Sequence, residues 1–393
     1  MRLEVKRPDR IVPEYSLTGD LLSFKSCEMQ YRYYNGSSLP PSRPVQMWYG
    51  EFIHGVLETA LRLWQADGYA FPWPYTRVEA GTMPAPPDFG LARNDLRVFA
   101  WPIEQALKQQ GKRARSGAAR LAAYNRAWTA INMLGPHLFP LVSSAEEKVI
   151  GTRELPPRNG GAAFRSDKYV LTGVIDVLTN IELAGAARGN IISDAVQAVC
   201  GQAQGAFEVV VDYKGSHRPD IAGADNHWEL GEWQVQTYAW LRGRQPEATP
   251  VAAGILIYLN ELAPGSSDIP RLKKQIADGS TDVVPVAGDA DDYAIRAWVP
   301  GTVVRLSDAF RLRRAIRVVP VDDVSIARAT TAFDETVASI EGHVVDEATC
   351  GSISRTWLPT SNEPQTCAAC DFYPFCSNPA RGADRANAGF DEP

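Results

Sequence analysis

Two short apolar runs in the middle of the chain set the pattern for the rest. One is Gly173-Val174-Ile175-Asp176 and the other is Val209-Val210-Val211-Asp212-Tyr213-Lys214. Residues i and i+2 of a strand point to one face, so Asp212 and Lys214 are expected to stand together with Tyr213 turned away. Upstream, Leu17, Leu21, Phe24 and Cys27 recur at helical spacing, which predicts a helix over residues 16–34 capped by Ser16. A second helix is predicted over 47–64. On it Glu51, His54 and Glu58 share one face, while Phe52, Val56 and Leu63 face a core. Residues 95–135 read as helical. Strands are predicted from about 148 and over 164–181, with the turn signal Asn159-Gly160-Gly161 between them. A helix over 225–241 and a buried strand over 251–259 follow, which suggests a parallel crossover beside an antiparallel hairpin. Further on, the pattern predicts a strand over 298–306 and a helix over 321–340.

Composition narrows the class. The chain has 393 residues, 45% hydrophobic and 22% charged, with a net charge of −6, as in ordinary globular proteins. That charge argues against a general nucleic-acid coat but leaves room for a local basic channel. Between Trp101 and Ile131, Lys108, Lys112, Arg113, Arg115, Arg120 and Arg126 face a single acid, Glu104. Two readings stand side by side: a solvated helix face, or a phosphate-contacting surface aided by Tyr124 and Trp128. The opening MRLEVKRPDR holds no apolar signal core, and no apolar run approaches a membrane span, so a cytoplasmic protein without membrane contact is expected.

Asp176, Asp212, Lys214 and His54 suggest one chemistry. Two carboxylates suit a hard divalent cation such as Mg²⁺, and the Tyr213 carbonyl adds a further oxygen. A histidine in the shell favours Mn²⁺ somewhat. A lysine beside them would stabilise charge on a phosphate. Taken alone, Asp-Tyr-Lys is a weak signal and reads first as a strand ending in solvent. Cys27 stands near the start, and Cys367, Cys370 and Cys376 crowd near the end. Four thiolates suit a [4Fe–4S] cluster or a Zn²⁺ ion, and composition does not choose between them. Cys200 and Cys350 have no partner at ligand spacing.

The order of these features resembles the PD-(D/E)XK nuclease superfamily. Gly50-x3-His54, Gly173-x2-Asp176, Asp212-x-Lys214 and Gln234-x3-Tyr238 follow the motif order of its RecB-type branch. That branch includes nuclease domains of helicase–nucleases and iron–sulfur exonucleases of CRISPR adaptation. The resemblance implies an α/β fold with a mixed central sheet flanked by helices, a helical insertion and a cluster-bearing C-terminal segment. It implies that His54, Asp176, Asp212 and Tyr213 hold metal, that Lys214 is the catalytic lysine, and that Gln234 and Tyr238 complete the site. It favours iron–sulfur over zinc at Cys27, Cys367, Cys370 and Cys376. Glu51 and Glu58 lie outside the motif and are supporting candidates. The chain departs from the pattern in its long stretch between His54 and Asp176, and in Glu28 where a proline is common.

The implied organisation is N-terminal helices in 1–66, a mostly helical insertion in 67–146 and a nuclease core in 147–260. An insertion with a strand and a helix fills 261–345, the cysteine segment 346–380 and a disordered tail 381–393. The implied activity is metal-dependent hydrolysis of DNA, as an exonuclease on single strands or ends, in repair, CRISPR adaptation or antiviral defence. Two alternatives remain: a non-catalytic DNA-binding or assembly subunit, and the nuclease subunit of a helicase–nuclease complex. No GxxxxGK[ST] motif is present, so a helicase would be a separate partner.

Overall fold

The two apolar runs become neighbouring strands of one mixed sheet. The computed structural model describes residues 12–35, 44–75, 90–158, 160, 163–201, 203, 205–221, 227–265, 267–361, 367, 370 and 372–377. The expected tail over 381–393 lies outside the described residues, as do Asn159 and Gly161 of the turn signal. The elements run β1 (Glu14–Ser16), α1 (Ser23–Ser26), α2 (Glu28–Tyr34), α3 (Pro44–Asp67), α4 (Leu96–Gln109), α5 (Gly117–Leu138), β2 (Val142–Glu154), β3 (Lys168–Glu182), α6 (Ile191–Cys200), β4 (Ala206–Lys214), α7 (His227–Arg242) and β5 (Val251–Tyr258). They continue as α8 (Asp268–Asp278), α9 (Ala290–Arg296), α10 (Asp308–Ala315), β6 (Ile316–Pro320), α11 (Asp323–Cys350) and α12 (Ile353–Thr356).

β3 is the hub. β2 pairs antiparallel along its length, from Glu154 opposite Lys168 to Val142 opposite Thr179. β4 pairs antiparallel with residues 177–182 of β3, β5 pairs parallel with β4, and β6 pairs antiparallel with β5. The antiparallel hairpin beside a parallel crossover is therefore present. Residues 207–214 of β4 are nearly all buried because helices cover both faces, which explains the unbroken Val209-Val210-Val211 run. On one side Phe207, Val209 and Val211 pack with Phe52, Val56 and Tyr124 of α3 and α5. On the other, Val210 packs with Val235 of α7 and Phe333 and Val337 of α11. A smaller core, built on Leu272, Ile295 and Phe310, joins α8, α9 and α10.

Three expectations change. The helix over 16–34 is broken: a π-helical turn spans Leu17–Leu22, and Cys27 is extended between α1 and α2. Ser16 makes no capping bond there; its hydroxyl donates to Asp20 at 2.8 Å. The predicted strand over 298–306 is irregular chain, because Gly301 is left-handed at φ 89° and Val303 is 91% exposed with no strand to join among the described residues. The sixth strand is instead Ile316–Pro320, which finds β5 as its partner.

Candidate functional site

The sheet forks at the site. Since β2 occupies one edge of β3, both β1 and β4 use the other. β1 holds residues 170–172 and β4 holds 177–182, which leaves 173–176 unclaimed. The last β3–β4 pair is Val177 with Val211. One residue beyond it, Asp176 and Asp212 face each other across the opening. Asp176 Oδ2 accepts the Tyr213 backbone N–H at 2.8 Å, so a carboxylate satisfies a donor that the ladder has left behind.

Asp212 is buried. Its Oδ1 accepts from Gln234 Nε2 at 2.7 Å. Its Oδ2 lies 2.7 Å from Lys214 Nζ, a largely buried ion pair. Lys214 Nζ also donates to Gln234 Oε1. Gln234 thus ties the acid and the lysine together, with Tyr238 Oη 3.4 Å from its Nε2. Tyr238 is buried against Gly173, where a Cβ would come within 2.7 Å of the ring. Glycine is required there by close approach. Tyr213 turns its ring the other way, edge-on to His54.

On α3, His54 Nδ1 stands 3.4 Å from Asp176 Oδ1. Burial disfavours its charged form, but the bond to Asp176 and the charges of Asp176, Asp212 and Glu146 raise its pKa to about 9. Donor atoms of His54, Glu146 and Asp176 lie within 4.8 Å of one another; Asp212 is not part of that trio. Glu146 was not singled out in the sequence. It sits in β2 with φ 53°, a left-handed conformation uncommon outside glycine. The strand was expected to begin at Lys148, and the acidic pair Glu146-Glu147 before it was the available signal. Burial, Asp176 and Glu58 push the Glu146 carboxyl up, against His54 and Arg62. Burial also raises Asp212, with Lys214 opposing and Asp176 adding to the rise.

These groups line a cleft of about 1140 Å³ that also includes Glu51 and Glu58. Glu51 is bonded by Lys112 at 2.6 Å, and Glu58 is paired with Arg62. The basic stretch of α4 and α5 is corrected accordingly. Arg120 and Arg126 are buried, Arg120 is paired with Glu104, and Tyr124 and Trp128 pack in the core. Lys108, Arg113 and Arg115 remain exposed, as on a solvated face.

The C-terminal segment that carries three cysteines comes back to the N-terminal helices near Cys27. Residues 358–361 return to α2, where Leu358 accepts the Met29 N–H and Thr360 accepts the Glu28 N–H, both at 3.1 Å. Cys27 and Cys367 are buried, and the Cys370 N–H bonds the Cys367 carbonyl at 3.1 Å. Burial pushes the Cys370 thiol up, and the Cys27 and Cys376 thiols push it further. Phe372 stacks on Tyr33 at 4.1 Å. Cys200 and Cys350 bond elsewhere, to Ala252 and to Ser352 and Thr356.

Among the described residues, no helix is long and apolar enough to cross a membrane. In comparison with known proteins, no family model and no curated protein sequence matches this chain.

Proposed function

We propose that the chain is a metal-dependent nuclease of the PD-(D/E)XK type, hydrolysing phosphodiester bonds of DNA at single strands or ends. The carrying observation is the set of acids at the fork, with Lys214 fixed beside them by Gln234. Three donors within 4.8 Å, with the buried Asp212 carboxylate beside them, fit a divalent cation. His54, Glu146 and Asp176 would hold Mg²⁺ or Mn²⁺, with Asp212 beside them. When bound, the ion supplies positive charge and Lewis acidity opposite the scissile phosphate.

The chain's own groups do the rest. Lys214 Nζ donates to a phosphate oxygen and offsets charge as the P–O bond breaks. Gln234 Oε1 holds that ammonium in place, and Tyr238 holds Gln234. Hydrolysis adds the elements of water: oxygen joins phosphorus, and the departing sugar oxygen takes the proton. At the other site, Cys27, Cys367, Cys370 and Cys376 would hold a [4Fe–4S] cluster, with Zn²⁺ as the alternative. The fit rests on thiols from both chain ends that sense one another's charge. Its role is to bind the C-terminal segment to α2.

Digestion of end-labelled, circular and end-blocked DNA with Mg²⁺ or Mn²⁺ tests the activity. Cutting by the wild type, lost in Asp212→Ala and Lys214→Ala, is expected. Equal activity in all three proteins would sink the assignment. Iron and sulfide content of anaerobically purified protein separates a cluster from zinc.

A further inference from the structure

The cleft continues beyond the acids along one exposed face of the β2–β3 ribbon. The register places Lys148 opposite Val174 and Ile150 opposite Thr172. Alternation puts all four on the face that carries Glu146 and Asp176. The opposite face is core, with Val149, Leu171 and Ile175 buried. Yet Ile150 is 48% and Val174 38% exposed, two large aliphatics set diagonally across the ribbon on the cleft floor. Each row along the ribbon is about 7 Å from the next, two strand residues at ~3.4 Å. That is one step per nucleotide of an extended strand, starting at the acids.

Two further observations bear on what rests there. The Val170 N–H bonds Pro13 on the β1 edge, so alternation turns the N–H and C=O of Val174 to that edge too. There they meet the gap between β1 and β4, which no strand among the described residues fills. Across the cleft, Gly50 lines the wall of α3, and a Cβ on it would meet nothing within 4 Å. Packing does not require a glycine at this point inside a helix. A notch that lets a ligand approach the helix backbone does.

We propose that Lys148, Ile150 and Val174, facing the Gly50 notch, form the subsite for the nucleotide next to the scissile phosphate, and that this nucleotide is unpaired. This rests on the nuclease reading above. Ile150 and Val174 contact a base face-on, which requires a base unstacked from its neighbour, as in a single strand rather than inside a duplex. Lys148 takes the neighbouring phosphate. The two lysines of the cleft, Lys148 and Lys214, lie on the ribbon and β4, along one track for a phosphate backbone.

The test compares wild type with the double variant Ile150→Gln/Val174→Thr and with Lys148→Gln. Fluorescein-labelled single-stranded and blunt duplex oligodeoxynucleotides serve as probes, with Ca²⁺ for binding and Mn²⁺ for turnover. The double variant should weaken single-strand binding and raise KM by about tenfold, as expected for losing one to two apolar contacts, with kcat retained. Lys148→Gln should reduce the salt dependence of binding. Ile150→Trp, which widens the stacking surface, should tighten single-strand binding. Thermal unfolding confirms that these exposed changes leave the fold intact. If the wild type cuts DNA and the double variant binds and cuts equally well, the subsite is overturned while the nuclease reading stands. Equal weakening toward duplex and single strand overturns the unpaired base. If the wild type neither binds nor cuts either probe, both readings fall.

Discussion

Two regions of this protein concentrate charge, and they treat their acids in opposite ways. Around Glu261 the acid is enclosed by cations. Arg314 Nε donates to its Oε2 at 2.7 Å, the Arg218 N–H donates to its Oε1 at 3.1 Å, and His217 Nδ1 stands 3.5 Å away. Arg218 in turn is held by Asp282 through 2.7 Å. Burial alone would raise the Glu261 carboxyl, but His217 and Arg314 bring it far below the usual range. At the fork the acids outnumber their partners, and Asp212 and Glu146 are pushed up. Density of charge is common to both regions. Imbalance distinguishes the fork, and an imbalance retained in a folded protein marks a place where a ligand completes the set.

The sharpest way to break the comparison is Glu261→Gln. It leaves Arg314, 2% exposed, without its counter-charge, and breaking a buried pair costs roughly 3–5 kcal/mol. Urea unfolding should show that loss, with metal binding at the fork unchanged in whatever protein remains folded. The pH dependence follows from the sign of the shift. Glu261 has a folded pKa below its unfolded one, so its contribution is full above about 4.3 and falls as pH drops toward the folded value. Wild-type stability should decline below about pH 4.3, and the decline should be shallower in Glu261→Gln. Identical slopes would remove Glu261 as the group responsible.

Asp212→Asn should act in the other direction. Burial and Asp176 disfavour the Asp212 carboxylate more than Lys214 favours it. A neutral side chain relieves that penalty, and the variant in EDTA should be more stable by about 1 kcal/mol. Mn²⁺ should then raise the unfolding temperature of the wild type by mass action and that of the variant much less. A destabilised variant would show that the fork acids are balanced after all, as those around Glu261 are.

The contrast also explains what the sequence made legible. Asp176, Asp212 and Lys214 were found because strand alternation is local and the apolar runs are long. Gln234 and Tyr238 entered only through the resemblance to a known motif order. Whether the two aspartates meet was beyond local pattern, since it depends on where the β3–β4 ladder ends. Glu146 was missed because Val142-Ser143-Ser144-Ala145-Glu146-Glu147 is too polar to read as a strand; it is one because β3 pairs with it. The buried part of the basic stretch went unread for a similar reason. Arg120 finds Glu104 and Arg126 finds Tyr49, partners from other turns or helices. The strand expected over 298–306 had a suitable composition and no neighbour to receive it. Edge pairing and long-range partners decide such cases, and neither is written in periodicity.

Two glycines of the cleft give the smallest and most discriminating effect. Gly173 lies under Tyr238, so its lack of a side chain is explained by packing. Gly50 has open space where a Cβ would go, within the helical span of α3. Replacing a helical glycine by alanine under those conditions stabilises by about 0.4–1 kcal/mol, because fewer unfolded conformations are lost. Gly50→Ala should therefore melt higher than wild type. If the notch admits a nucleotide, the same methyl group should weaken single-strand binding while the fold gains. A variant that is both more stable and equally tight would show that the glycine serves neither packing nor substrate, and that the cleft wall at α3 stays clear of the DNA.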